Sequence, residues 1–275
     1  MAELVSAAGV AHNPFFPLIV RDRGPGAEEI KRLYREVATR LEASRPDTIV
    51  VFTTDHYNAF FDVCVPIFAV CTAERASGPC DYPQLPQFEV ELDSKLALAL
   101  QADLVAAGFD VAASQEIPLD HTILAPLGLI RPAMDVPLVP FFVSGSIPPR
   151  PPARRCYELG RSLRVALKRC PLPRRVALIA SGAFSFEVGG PRIAEDSHVG
   201  VPAPKWAEHV VDRIRATRVD ELIDEITPAQ LERAGNASGE ILNWIVMLGA
   251  LDRSRPTFIE SQPEHGHAFA TWSVA

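Results

Sequence analysis

Histidines that follow apolar runs are the residues of this sequence best suited to chemistry. The stretch Thr53-Thr54-Asp55-His56-Tyr57-Asn58-Ala59-Phe60-Phe61 comes directly after an apolar run at residues 48–52. That run, preceded by Arg45-Pro46-Asp47, has the composition of a buried strand entered through a turn. His12 stands in the same relation to the earlier run at residues 4–10. Imidazoles at the ends of two strands lie at the carboxyl edge of a sheet, where α/β proteins keep their ligand sites. They are the beginning of a metal site. Two histidines and one carboxylate that leave coordination positions open are the usual setting of non-haem Fe(II) in oxygenases. Glu240 is the candidate carboxylate, because it opens an apolar helical segment and a helix start can aim an acid into a cleft. Each of the three also has a structural reading. His12 fits a loop histidine bonded to backbone, and His56 fits the neighbour of a capping Asp55. Glu240 fits a first-turn acid favoured by the helix dipole, an effect of ~0.3–1 kcal/mol at an exposed position. Spacing alone does not decide between the two readings.

The elements that must position these residues follow from periodicity. Ile30, Leu33, Tyr34, Val37 and Leu41 mark an amphipathic helix over residues 27–41, lying between the two strands already named. A strand–helix–strand unit of this kind favours a parallel pair. Further strands are expected at residues 63–70, 109–113, 137–143 and 175–180. Helices are expected at 87–107 (stopped by Gly108), 122–130 (capped by Asp120), 153–168, 205–215, 228–234 and 238–251. Residues 12–17, 71–86 and 189–204 read as loops, the second of them lying over a pocket. The proline-rich stretch at 147–152 is a candidate boundary between two halves. Strands and helices alternate along the whole length, which predicts an α/β fold: an αβα sandwich around a mostly parallel or mixed sheet. The expected organisation is a single catalytic domain over residues 1–275.

Composition narrows the partners. The 275 residues are 48% hydrophobic and 22% charged, with a formal net charge of −7 and no basic tract, which argues against nucleic acid. No apolar run approaches the ~20 residues of a membrane span. The amino terminus lacks the basic-then-apolar order of a signal peptide, so a cytoplasmic location is expected. Cys64, Cys71, Cys80, Cys156 and Cys170 are odd in number and form no Cys-x-x-Cys pair, the pattern of reduced thiols.

Four segments carry a resemblance to a known family. They are Gly9-Val10-Ala11-His12-Asn13-Pro14; Asp55-His56-Tyr57-Asn58-Ala59-Phe60-Phe61; Asp120-His121-Thr122 with Ala125-Pro126-Leu127; and Ala234-Gly235-Asn236-Ala237-Ser238-Gly239-Glu240-Ile241 with Trp244. In these the chain resembles the class III extradiol ring-cleavage dioxygenases, the family of protocatechuate 4,5-dioxygenase β chains and of 2,3-dihydroxyphenylpropionate 1,2-dioxygenase. The resemblance implies Fe(II) held by His12, His56 and Glu240, with His121 as an acid/base residue. It also implies a small aromatic substrate (a vicinal diol or aminophenol-like ring) with O2, a homo-oligomer, and in some members a small helical partner subunit. One departure stands out. The family places a further acid/base histidine in a Gly-Gly-x-Ser-His turn, and here the matching piece reads Gly182-Ala183-Phe184-Ser185-Phe186. Phe186 can wall a pocket or stack on a ring but cannot move a proton. His267 and Arg192 are further candidates for substrate contact, Arg192 through a carboxylate. The rival readings are a metal-dependent hydrolase on the same fold and a catalytically altered metal-binding interaction protein.

Overall fold

Three fully buried apolar segments, Thr48–Thr53, Leu138–Val143 and Arg175–Ser181 from its second residue on, form the middle of the molecule. Continuous apolar strands of this kind must be covered on both faces, as in a parallel sheet between helix layers. The structure is a computed structural model and describes residues 1–61, 63–194 and 196–274. The chain runs β1 (Glu3–Val10), α1 (Phe16–Asp22), α2 (Ala27–Ala43), β2 (Thr48–Thr53), β3 (Phe68–Cys71), β4 (Arg75–Gly78) and β5 (Phe88–Glu91). It continues through α3 (Ser94–Ala106), β6 (Val111–Ser114), α4 (His121–Ile130), β7 (Leu138–Val143), α5 (Ala153–Arg169) and β8 (Arg175–Ser181). The short strands β9 (Glu187–Val188) and β10 (Val199–Gly200) precede α6 (Pro204–Arg215), α7 (Val219–Glu225) and α8 (Pro228–Ala234). A 3-10 turn, Ser238–Glu240, leads into α9 (Ile241–Leu251), and the hairpin β11 (Phe258–Gln262) and β12 (His267–Ser273) ends the fold.

Eight strands form one sheet in the order β11-β12-β1-β8-β2-β7-β3-β6. β1, β8, β2 and β7 are mutually parallel, β12 joins β1 antiparallel, and β3 joins β7 antiparallel. This is the mixed sheet expected, with helices on both faces. The side chains of β2 divide by the two-residue period of a strand. Val50 and Phe52 pack toward α3, α5, α6, α7 and α9, whereas Ile49 and Val51 pack toward α2 and α4. After β7 the chain crosses through α5 and returns as β8 between β1 and β2, so residues 147–152 do not divide the sheet.

Several boundaries differ from the sequence reading, each for a local reason. The strand expected at 63–70 starts at Phe68, because Pro66 has no N–H to give a ladder. The helix expected from residue 87 starts at Ser94, where the Asp93 carboxylate accepts from the Leu96 N–H (3.1 Å) as N-cap. Phe88-Glu89-Val90-Glu91 alternates as a strand and pairs with β4, inside what reads as a loop. β9 and β10 likewise interrupt the loop expected at 189–204 and its approach, and α1 begins inside the loop expected at 12–17. The C-terminal hairpin and α7 were not anticipated. All five cysteines are free thiols. Among the described residues no helix is long and apolar enough to cross a membrane.

The helix that carries Glu240 into place is seated on β1 by Gly9. A Cβ there would meet the Trp244 ring of α9 at 2.1 Å, and that ring is fully buried. Gly9→Ala should therefore push α9 off the sheet and lower stability by about 1–3 kcal/mol, the usual cost of overpacking. Urea denaturation measures it, and an unchanged midpoint would mean that this contact does not seat the helix.

Candidate active site

The four parallel strands deliver their carboxyl ends to one edge, and the site is built there. His12 lies two residues beyond β1, and His56 three residues beyond β2. β8 ends at Ser181, followed by Gly182-Ala183. Glu240 comes in from the start of α9, and its approach needs a glycine opposite: a Cβ on Gly182 would lie 2.6 Å from Glu240 Cβ. Asn243, one turn further along α9, donates to the Ser181 carbonyl (2.8 Å) and to Thr54 Oγ1 (3.2 Å). That pair of bonds ties the helix to the ends of β8 and β2.

Three donor atoms converge. Glu240 Oε1 lies 3.2 Å from His12 Nε2 and 2.9 Å from His56 Nε2, and Glu240 Oε2 accepts from the Ala183 N–H at 2.7 Å. The His12 tautomer follows from its neighbours. The Ser181 hydroxyl donates to the Thr122 carbonyl (2.7 Å), so it accepts from His12 Nδ1–H (2.8 Å). In the neutral ring this leaves the Nε2 lone pair facing Glu240 Oε1, and in the protonated ring Nε2–H donates to that oxygen. The carboxylate is 2% exposed, and among the described residues its ion-pair partners are these two imidazoles, with no lysine or arginine. Burial opposes its ionisation, but His12 and His56 outweigh burial and hold the carboxyl well below the usual range. For His56, burial favours the neutral ring, yet the hydrogen bond and charge of Glu240 raise its pKa to about 9. A buried anionic oxygen beside two ring nitrogens, one of them with its lone pair turned inward, suits a divalent cation of the kind bound by imidazole and carboxylate.

The motif around His56 is explained by the turn it makes. The Asp55 carboxylate accepts from the N–H groups of Asn58, Ala59 and Phe60 (3.1, 3.0 and 2.9 Å), closing the loop that presents His56. Asn58 Nδ2 donates to Asp120 Oδ2 (3.1 Å), and Asp120 caps α4 by accepting from the Thr122 N–H (3.0 Å). The two motifs are thereby locked together. His121, the first residue of α4, faces both other histidines, with ring centroids 5.5 Å from His12 and 5.1 Å from His56. One ligand atom from each of His12, His56 and His121 lies within 4.8 Å of the others. Asp81, which sequence reasoning missed, grips His121 twice: Oδ1 accepts from the backbone N–H (3.0 Å) and Oδ2 from Nδ1–H (2.5 Å). This leaves Nε2 of His121 as the free nitrogen. Burial lowers the His121 pKa, with Asp81 acting against it. The only sequence signal for Asp81 was its place in a loop read as lying over a pocket.

These residues open into a cavity of about 430 Å³. His12, His56, His121 and Glu240 line one part of it, and Phe15, Tyr82, Phe186 and His267 line others. Phe186 is held through its carbonyl, which accepts from the Ala237 N–H at 3.1 Å. His267 stacks on His265 and meets the edges or faces of Phe16 and Phe269. Burial, followed by the charges of His265 and His12, lowers its pKa to about 3. Arg192 is placed differently from the sequence expectation. Its guanidinium donates to both oxygens of the buried Glu187 (3.3 Å each) and to Glu232 (3.4 Å), and it is not part of the cavity lining. Its placement is that of a structural ion pair. Tyr57 and Phe61 are exposed, and Phe60 packs on Phe142, so these three rings of the His56 stretch are not part of the cavity lining.

Residues 6–274 match the family described as the catalytic LigB subunit of aromatic ring-opening dioxygenase. Among curated relatives, a 2,3-dihydroxyphenylpropionate/2,3-dihydroxicinnamic acid 1,2-dioxygenase of Burkholderia vietnamiensis is 29% identical over 269 residues, covering 83% of this chain and 82% of that protein. The protein of the same name from Paraburkholderia phymatum is 27% identical over 267 residues, with the same coverage. A gallate dioxygenase of Pseudomonas putida is 30% identical over 183 residues, covering 65% of this chain and 50% of that one. An uncharacterised protein of Escherichia coli K12, solved by crystallography, superposes with a TM-score of 0.64 at 20% identity over 98% of this chain and all of that one. The last of these supports the fold, and the family match runs nearly end to end. The chain belongs to the LigB family of aromatic ring-opening dioxygenases and is an aromatic ring-cleaving dioxygenase.

Proposed function

We propose that the protein is a non-haem Fe(II) enzyme, one catalytic domain throughout, that opens an aromatic ring bearing two adjacent hydroxyls, or a hydroxyl and an amino group. The ring opens beside the chelating pair, with O2 as co-substrate, to give a ring-opened semialdehyde acid. The observation that carries this reading is the convergence of His12 Nε2 and His56 Nε2 on one oxygen of a buried glutamate. His12, His56 and Glu240 would hold the iron. Fe(II), when bound, acidifies a chelated hydroxyl and relays electron density from ring to O2.

The chain's own groups have separate tasks. Ser181 keeps the His12 lone pair on Nε2, and the Ala183 N–H fixes the Glu240 carboxylate so that Oε1 points inward. His121 takes the proton that a substrate hydroxyl loses on binding, at Nε2, because Asp81 holds its Nδ1 proton. Phe186 supplies a face for the ring and excludes water, and it has no part in proton transfer. A second ligand set is favoured by one observation, the proximity of His12, His56 and His121, since three imidazoles with an open position suit Zn(II).

Metal analysis of anaerobically purified protein separates the two. The first reading expects close to one Fe(II) per chain with catechol-dependent O2 uptake; bound zinc and turnover indifferent to oxygen would sink it. Glu240→Ala should abolish metal retention, while His121→Ala should retain metal and lose about 10²–10⁴-fold in turnover. Loss of metal from His121→Ala with retention in Glu240→Ala would favour the three-histidine set instead. Asp81→Asn should keep metal and lower kcat with little change in KM, because only the orientation and tautomer of His121 are disturbed. A wild-type kcat in that variant would remove Asp81 from the proton path.

A further inference from the structure

Away from the metal-site residues, the cavity wall is apolar or weakly polar. Phe15, Phe186, Val188, Val199 and Val201 form much of it, and no lysine or arginine occurs among its described lining residues. Outside the metal-site cluster Glu264 is the one carboxylate of that lining, and it sits at the exposed rim. Arg192, the cation that sequence reasoning offered for a substrate carboxylate, is engaged by Glu187 and Glu232. His267 is enclosed by Phe16, Phe269 and His265, surroundings that favour a neutral imidazole.

The relatives are named for rings with adjacent hydroxyls that are also carboxylic acids: a phenylpropionate, a cinnamic acid and gallate. Such groups are ionised at neutral pH. A carboxylate brought into this cavity would lose hydration and find no guanidinium or ammonium to replace it, and the one exposed imidazole of the lining, His265, adjoins the Glu264 carboxylate. An alkyl, aryl or amide group in the same place loses nothing of that kind and gains contact with valine and phenylalanine side chains. Resting on the proposed ring-cleavage chemistry, we infer that the ring accepted here carries no carboxylate: the substrate is a vicinal diol (or aminophenol) whose remaining substituent is uncharged. The selectivity arises from the missing cation and the rim carboxylate, a case of discrimination by leaving the wrong group unpaired.

The test compares compounds of one skeleton and different charge: 2,3-dihydroxyphenylpropionate, its primary amide, and 3-propylcatechol. O2 uptake by the Fe(II)-loaded enzyme gives kcat/KM for each, and anaerobic calorimetric titration gives binding without turnover. The amide and the propylcatechol should exceed the acid at least tenfold in both measurements. Val199→Arg, at a half-exposed position of the wall that tolerates a long side chain, should move the acid-to-amide ratio at least tenfold toward the acid. An acid used as well as or better than its amide overturns the inference and leaves ring cleavage standing. So does a ratio that does not move in Val199→Arg. Absence of both binding and turnover for all three diols overturns it together with the reading on which it rests.

Discussion

The structure is organised around a buried carboxylate that, among the described residues, is paired with no lysine or arginine. Removing an ionised carboxylate from water costs several kcal/mol after relaxation, and the cost must be met by charge and hydrogen bonds at the site. Glu240 meets it with two imidazoles and one backbone N–H, all supplied by the carboxyl ends of parallel strands or the residues just beyond them. A proton and a metal ion compete for the same nitrogen lone pairs, so the arrangement that raises the His56 pKa to about 9 is also one that a divalent cation can take over. In the proposed reading the same polar edge would serve as a metal cradle without rebuilding.

What keeps the edge in shape is a second ring of neutral or capping groups. Ser181 sets a tautomer, Asn243 ties α9 to β8 and β2, and Asp55 closes a turn. Asn58 joins that turn to the Asp120 cap of α4. Only the Asp55 turn is local; the other bonds join residues 62 to 189 positions apart, and together they connect five separate stretches of chain. The Asp-His-Tyr-Asn pattern thus has two parts: His56, a ligand in the proposed metal site, and Asp55 and Asn58, which close the loop that aims it. Packing reaches the site from the other side, since Trp244 fits over Gly9 and fixes how far α9 can carry Glu240 toward His12.

The sequence was informative where side chains are periodic or chemically unusual. The central strands, the helices α2, α5 and α9, and the histidines 12, 56 and 121 were readable because burial and chemistry each leave a pattern in neighbouring residues. The β4–β5 pair was not, because Phe88 to Glu91 adjoins strong helix formers and only the Asp93 cap separates them. The hairpin β11–β12 was hidden by its polar and histidine-rich junction. Asp81 and Arg192 illustrate the limit most directly. An aspartate in a loop carries no local mark of the imidazole it will meet 40 residues on, and an arginine beside Gly-Gly carries none of the buried glutamate that claims it. Pairings of this kind are set by tertiary placement and are visible only once the chain is folded.

Phe186 makes the division of labour in the cavity one-sided. With a phenyl ring where the resemblance implies an imidazole, the proposed proton handling falls to the His121–Asp81 side, next to His12 and His56. The Phe186 side of the wall is left to contact and exclusion, alongside valines and without a basic residue in the described lining. The proposed diol would satisfy both sides only in one sense: its hydroxyls toward the histidines and Glu240, its remaining substituent toward the apolar wall. Polar chemistry and apolar shape therefore select the same orientation. In the proposed chemistry a general base is needed only where the hydroxyls would sit, and a cation held by His12, His56 and Glu240 would itself lower the pKa of a chelated hydroxyl. Losing the far imidazole thus removes a group from the part of the cavity where the ring needs packing more than it needs a proton carrier.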